Sequence, residues 1–371
     1  MANSPHIGIN TLFLSRPLTG TGQYTLHLLG ALEQYAHPWH LVPLSSPLTS
    51  NARGRWENIQ KLLWEQLLCP LRALQQSLDL LHVPYWAPPL VAPCPVVVTI
   101  HDIIPIVLPQ YQTTPLVAAY TRLVTRATRR AEALIVDSEA TRRDIIHYLH
   151  IPPDRLFVAP LAASPHLTPV VPDEAAHLCL QRWGLSQPFL LYIGSNDIRK
   201  NLKGLLLAWQ RAVPRLPHHQ LVIAGNLRSA PPLFPDIHTF ADSLKLPRLR
   251  FLPPPAEYEK AVLLSACEAF IWPSLYEGFG LPPLEAMQVG APVASSNTSS
   301  MPEVIGGAGL LFDPHQPASM ADAMIRLGTE ASLRAELHAA GIRQAQQFTW
   351  ARTTALTIAV YHQVLNRNCM L

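Results

Sequence analysis

Two carboxylates, Glu277 and Glu285, stand eight residues apart around the turn Gly278-Phe279-Gly280. The run ahead of them, Ala269-Phe270-Ile271-Trp272, is short and apolar and reads as a buried strand. Pro282 and Pro283 suit the first positions of a helix that runs to Met287 and stops near Gly290. The spacing therefore predicts a strand, a loop carrying Glu277, and a helix with Glu285 in its first turn. Glycine at 278 and 280 lets backbone N–H groups approach a bound group closely, and the helix N-terminus behind them favours an anion such as a pyrophosphate. A carboxylate beside that anion would repel it unless turned toward neutral hydroxyls, so the pair is suited to accept hydrogen bonds from a sugar. A sugar nucleotide carries both kinds of group.

The run Ser274-Leu275-Tyr276-Glu277-Gly278-Phe279-Gly280-Leu281-Pro282-Pro283-Leu284-Glu285-Ala286-Met287 resembles the signature of the retaining glycosyltransferases of family 4, which have the GT-B fold. The resemblance implies that Glu277 contacts the donor sugar, that Glu285 contacts the nucleotide ribose, and that the backbone of Phe279, Gly280 and Leu281 lies at the phosphate.

Elements must position these groups, and the chain has the material for them. Its 371 residues suffice for two domains, each with its own core. Hydrophobic residues make up 49% and charged residues 14%, with 37 prolines, a composition of buried strands and proline-punctuated loops rather than of disorder. The formal net charge of +3, with no long basic run, gives no support for nucleic-acid binding. No apolar run is long enough to span a membrane and the N-terminus reads as a first strand, so the expected location is the cytoplasm. Cys69, Cys94, Cys179, Cys267 and Cys369 are odd in number and dispersed, which predicts free thiols and neither disulfides nor a zinc site.

Short apolar strands alternate with amphipathic helices from Ile7 to Val158, the rhythm of a parallel sheet. Around Ala162 to Pro188 proline-rich polar sequence reads as a linker, and a second α/β series follows from Phe189. The fold class is therefore α/β, with two Rossmann-like domains over 1–165 and 188–347 and a ligand expected in a cleft between them. The family resemblance implies that the final helix, within 350–371, crosses back onto the first domain.

Three further constellations fall after strands of these sheets. Gly194-Ser195-Asn196-Asp197-Ile198-Arg199-Lys200-Asn201 places two adjacent cations where they could neutralise a diphosphate and stabilise it as it departs. Ser195 is a candidate hydrogen-bond donor, standing where the family often has Arg. Thr19-Gly20-Thr21-Gly22-Gln23-Tyr24 lacks the third glycine of a dinucleotide fingerprint, since residue 25 is Thr25. By resemblance, Gly20 and Gly22 belong to a loop on the donor-phosphate and acceptor side. His101-Asp102 closes the strand Val98-Thr99-Ile100, and the resemblance implies that His101 reaches the donor sugar or the acceptor, with Asp102 positioning structure.

No Asp-x-Asp occurs, so no carboxylate grip on a metal-bound diphosphate is present and a metal-independent reaction is expected. The expected activity is hexosyl transfer from a nucleotide sugar, GDP-mannose first and UDP-glucose second, to a glycan or lipid-linked hydroxyl, with the retention that the family resemblance implies. The variants His-Asp-Ile-Ile-Pro and Arg-Lys-Asn resemble bacterial mannosyltransferases of polysaccharide assembly. The alternative is a protein of the same shape that binds a sugar nucleotide without transferring it. Arg122, Arg126, Arg129 and Arg130, spaced along one side of a helix from Leu116, predict weak peripheral attachment to an anionic membrane surface.

Overall fold

The computed structural model describes residues 4–16, 19–34, 39–46, 55–185 and 188–368. The chain divides into two compact units, Met1–Leu161 together with Trp350–Leu371, and Ala162–Thr349. Cys369 lies outside the described residues, and the other four cysteines are free thiols.

The first unit contains β1 (His6–Asn10), α1 (Gly20–Gln34), β2 (His40–Leu44), α2 (Arg55–Leu63), α3 (Cys69–Gln75), β3 (Leu80–Val83), β4 (Val96–Ile100), α4 (Ile104–Val107), α5 (Pro115–Thr128), β5 (Ala133–Val136), α6 (Glu139–Asp144) and β6 (Leu156–Val158). Its six strands are all parallel, in the order β2-β1-β3-β4-β5-β6. β3, β4 and β5 are buried along their whole length, which is why they read as unbroken apolar runs rather than alternating ones. Between α2 and α3 the chain makes a π-helical turn, Trp64–Leu68, that turns Trp64 and Glu65 into the core.

The second unit contains α7 (Glu174–Arg182), β7 (Phe189–Ile193), α8 (Leu202–Ala212), β8 (Gln220–Ala224), α9 (Ile237–Leu244), β9 (Leu249–Leu252), α10 (Glu257–Ala266), β10 (Ala269–Trp272), α11 (Leu281–Gln288), β11 (Val293–Ser296), α12 (Met301–Ile305), β12 (Gly309–Phe312), α13 (Pro317–Thr329) and α14 (Ala331–Ala345). Its sheet is again parallel, in the order β12-β11-β10-β7-β8-β9. From β7 the chain winds outward through β8 and β9, then returns to β10 on the other side of β7 and winds away through β11 and β12. The order reverses between β7 and β10, and that switch point leaves a crevice beyond the carboxyl ends of the two strands.

One expectation is corrected here. The stretch from Ala162 to Pro188 is not a linker outside the two units. It belongs to the second unit and contains α7, which is capped by Asp173 accepting a bond from the Ala176 N–H at 2.8 Å. Ahead of α7, the carbonyls of Ser164 and Leu167 accept bonds from the Gln288 amide at 2.8 and 2.6 Å. Proline density made the segment look loose, whereas these contacts tie it to α11.

The last helix, α15 (Trp350–Asn368), belongs to the first unit and packs on α1. A buried polar chain holds it there. Tyr361 Oη meets His82 Nδ1 at 2.6 Å, His82 Nε2 meets Thr99 Oγ1 at 2.8 Å, and Thr99 Oγ1 meets Tyr24 Oη at 3.0 Å. Burial lowers the His82 pKa to about 3, so the imidazole is neutral and offers one donor and one acceptor to its two partners. Thr353 Oγ1 adds a bond to the Pro160 carbonyl at 2.5 Å.

Candidate active site

Strand β7 delivers Arg199 and Lys200, and its neighbour β10 delivers Glu277. They converge at the switch point although 77 residues separate Lys200 from Glu277 in sequence. Glu277 Oε1 accepts a bond from Lys200 Nζ at 2.5 Å and Oε2 one from Arg199 Nη1 at 2.7 Å. Arg199 Nη1 also donates to the Tyr276 carbonyl at 3.1 Å, and the Lys200 ammonium lies 4.3 Å from the centre of the Trp272 ring. Asp197 stands 3.9 Å from Arg199 Nε.

All three charges of the inner group are largely removed from water, with side-chain exposures of 17%, 11% and 9% for Arg199, Lys200 and Glu277. Burial would raise the Glu277 pKa, but the Arg199 and Lys200 charges outweigh it and hold the carboxyl at about 2. Burial, aided by Arg199, brings Lys200 down to about 8 despite its carboxylate partner. Both groups are thus ionised at neutral pH. The two cations do not wait for an external anion, as the sequence suggested, because Glu277 already answers them.

The loop that carries Glu277 is clamped by the segment after β11. Ser299 Oγ accepts the Glu277 N–H at 2.9 Å, while Ser300 Oγ lies 3.0 Å from the Glu277 carbonyl and 2.7 Å from that of Phe279, to one of which it donates. The Phe279 ring is buried edge-on to Phe348 at 5.6 Å. Gly280 has φ +109°, a conformation that strains any residue with a Cβ, and such a Cβ would also displace the end of the Met301 side chain, 2.1 Å away. Pro282 and Pro283 carry no N–H, which leaves Leu281 as the one helical residue among the first three with a donor to offer an anion.

Glu285 is the fifth residue of α11, just past the first turn in which it was expected, because the helix begins at Leu281 and not at Pro282. Its carboxylate accepts a bond from Lys260 Nζ of α10 at 2.6 Å. Burial raises its pKa and Lys260 offsets part of that rise. At the end of β7, the Gly194 N–H donates to the Ala224 carbonyl at 2.9 Å, and the Ser195 carbonyl accepts the Tyr192 hydroxyl at 2.7 Å.

Gly20 and Gly22 lie within the first turn of α1 and not in a loop ahead of it. Thr19 caps that helix through its Oγ1, which accepts the Gly22 N–H at 3.1 Å. A Cβ on Gly22 would lie 2.3 Å from the Arg16 carbonyl, so packing alone demands glycine there, whereas one on Gly20 meets nothing within 4 Å.

His101 follows β4 in the first unit. Its Nδ1 meets Asp137 Oδ2 at 2.7 Å, and Nε2 has no hydrogen-bond partner of normal geometry. Burial lowers the imidazole pKa, but the Asp137 carboxylate outweighs this and the net shift is upward. Asp137, which the sequence reading left without a role, is therefore the ring's partner. Asp102 instead accepts the Ile104 N–H at 3.1 Å. The signal lay in the register: Ile100 pairs with Val136 in parallel strands, so the next residues, 101 and 137, emerge side by side.

Among the described residues, no three His, Cys, Asp or Glu side chains converge as a metal site would require. No helix of the described residues is long and apolar enough to cross a membrane.

Comparison with known proteins agrees with this layout. The pattern of the family described as Glycosyltransferase Family 4 matches residues 18–165, and that of Glycosyl transferases group 1 matches residues 181–344. The O-antigen chain mannosyltransferase B of Escherichia coli is 30% identical over 369 residues, covering 93% of this chain and 96% of the relative. A serotype-specific mannosyltransferase, WbdA, also of Escherichia coli, is 31% identical over 64% of this chain and 29% of its own length. Among solved structures, the sucrose-phosphate synthase of Thermosynechococcus elongatus superposes with a TM-score of 0.75 at 19% identity, covering 98% of this chain and all of the other. With a cation pair and a clamped glutamate at the switch point of one of two parallel sheets, and with this similarity along nearly its whole length, the chain belongs to the family 4, group 1 glycosyltransferases and has the GT-B fold.

Proposed function

We propose that the protein transfers mannose from GDP-mannose, with UDP-glucose as the second-choice donor, to a hydroxyl of a glycan or lipid-linked acceptor. Transfer retains the anomeric configuration and uses no metal. The observation that carries this reading is the Arg199–Lys200–Glu277 cluster at the switch point of the second sheet. The near full-length similarity to an O-antigen chain mannosyltransferase supports mannose as the sugar.

In this reading the donor diphosphate lies against Arg199, Lys200 and the backbone of Phe279, Gly280 and Leu281. Glu277 orients the two cations and accepts a bond from a sugar hydroxyl, Glu285 accepts from the ribose, and His101 contacts the reacting sugar or the acceptor. The bond between the anomeric carbon and the phosphate oxygen breaks with its electron pair going to that oxygen. The acceptor oxygen bonds to the carbon on the same face, and its proton passes to the departing phosphate. The positive pair stabilises the charge that grows there, a role whose loss typically costs on the order of 3 kcal/mol in the transition state.

The test is turnover of GDP-mannose and UDP-glucose by the purified chain, with and without chelator, read as nucleoside diphosphate release and by NMR of the product's anomeric centre. Release above background that survives chelation, is lost in Lys200→Ala and gives a retained product is expected. Donor binding without release would make the protein a sugar-nucleotide binder, and activity recovered only on adding magnesium or manganese would overturn metal independence.

A further inference from the structure

We propose that the outer face of the helical layer formed by α2, α3, α5 and α6 in the first unit docks onto an anionic lipid bilayer surface. The topology puts these helices together. The step from β1 to β2 runs one way along the sheet, while those from β2 to β3, β4 to β5 and β5 to β6 run the other way. With right-handed crossovers, α1 takes one face of the sheet and α2, α3, α5 and α6 share the opposite face. Tyr120 of α5 confirms the adjacency by donating to Glu65 of the π turn at 2.8 Å.

An apolar stripe runs the length of the first of these helices. Trp56, Ile59, Leu63, Leu67, Leu71 and Leu74 are between 41% and 70% exposed, although Trp64, Cys69 and Ala73 of the same segment are buried. Spacings of four from Ile59 to Leu71 would drift by about 40° per step in an α-helix. The π turn takes more residues per turn, and so returns Leu67 to the line while turning Trp64 and Glu65 inward. A stripe kept straight in this way and left uncovered marks an interaction surface rather than scattered exposure.

Beside it α5 exposes Arg122 and Arg126, and the turn that follows it exposes Arg129 and Arg130. Among the described residues none of the four has a carboxylate within ion-pair distance. Arg122, Arg129 and Arg130 donate instead to the carbonyls of Ala118, Leu149 and Leu90. Arg122, Arg126 and Arg129 line a cavity of about 490 Å³ together with Thr125, Tyr148 and the apolar Ile106 and Leu149, a hollow of a size to take a lipid headgroup phosphate. The exposed Val91 joins the two patches, since its loop is held by Gln66 on one side and Arg130 on the other.

Apolar side chains beside unneutralised guanidinium groups complement acyl chains beneath anionic headgroups. A second copy of the chain fits less well, because a two-fold contact through the stripe would bring one copy's arginines near its partner's. Attachment is therefore more than the electrostatic recruitment expected from the arginines alone. The leucines supply a component that salt does not screen.

The experiment is flotation of the full chain with phosphatidylcholine vesicles, with and without about 30% phosphatidylglycerol, at roughly 50 and 300 mM salt. The anionic vesicles should bind the protein, with a remainder that survives the higher salt. Replacing Leu67, Leu71 and Leu74 together by Ser should lower partitioning roughly tenfold or more and remove that remainder. Arg126→Ala with Arg130→Ala should remove the preference for anionic lipid. Circular dichroism and melting of both variants should match the wild type, because every altered side chain is exposed. Absence of binding to either vesicle, unchanged partitioning of the Leu variant, or a vesicle-free dimer that the Leu variant abolishes would overturn the proposal.

Discussion

Replacing Glu277 by Gln preserves shape but leaves Arg199 and Lys200 buried with only Asp197 nearby, 3.9 Å from Arg199 Nε. The carboxyl is held at about 2 against an ordinary 4.5. At 1.36 kcal/mol per unit, that preference for the charged form is worth about 3 kcal/mol. Because the pKa is depressed in the folded state, this contribution is complete above pH 4.5 and is lost as pH falls toward 2. Breaking a buried pair by removing one partner costs about 3 to 5 kcal/mol, so the second unit should lose a similar amount at pH 7. Urea denaturation followed by far-UV circular dichroism and tryptophan fluorescence measures this. The two units could unfold in separate transitions, and the change belongs to the second. A double-mutant cycle with Lys200→Met should show coupling of at least about 1 kcal/mol, since removing the ammonium relieves part of the uncompensated charge. GDP at saturation should raise the variant's melting temperature more than that of the wild type, because the diphosphate supplies the missing negative charge. A variant within about 0.5 kcal/mol of wild type, or strict additivity with Lys200→Met, would refute the idea that Glu277 is the counter-ion of the cluster.

Lys200 titrates at about 8, so GDP affinity should weaken as pH rises through that value, and Lys200→Arg should abolish the basic limb; calorimetric titration from pH 7 to 9.5 checks both. His82, held neutral down to about 3, should make the first unit less stable by about 1.4 kcal/mol for each pH unit below 6.5, because the unfolded chain binds a proton that the folded chain refuses. Urea midpoints at pH 7, 6, 5 and 4 test that slope, and His82→Asn should flatten it. Tyr361→Phe strips the partner from His82 Nδ1 and should cost about 1 to 3 kcal/mol, seen as a lower urea midpoint for the first unit.

Much of the fold was legible in the sequence, because fully buried parallel strands leave unbroken apolar runs and prolines mark helix starts. The strand His40–Leu44 escaped notice since it is a sheet edge, with an exposed first residue, a proline and no such run. The segment that holds α7 read as a linker because the bonds that tie its start down, from Gln288 to Ser164 and Leu167, come from more than a hundred residues away. Residue types and their neighbours in sequence singled out Glu277, Arg199 and Lys200, which the second unit brings together, and His101 in the first. Their partners were hidden, because pairings such as Glu277 with Lys200 are made across adjacent strands and not along the chain. Asp137 was recoverable only from the register of β4 and β5, and Trp272 and Ser299 only from packing.

The return of α15 to the first unit bears on how the protein is made. During synthesis the strands and helices up to Leu161 emerge first, yet the helix that supplies Tyr361 to His82 comes only after the whole second unit. At roughly 5 to 20 residues per second, that interval is on the order of ten to forty seconds. Throughout it the surface that α15 will cover, with the imidazole of His82 and the aromatic side of α1, lacks its cover on the ribosome. The second unit can complete its own core in that time, so of the two units the one begun earlier is finished later.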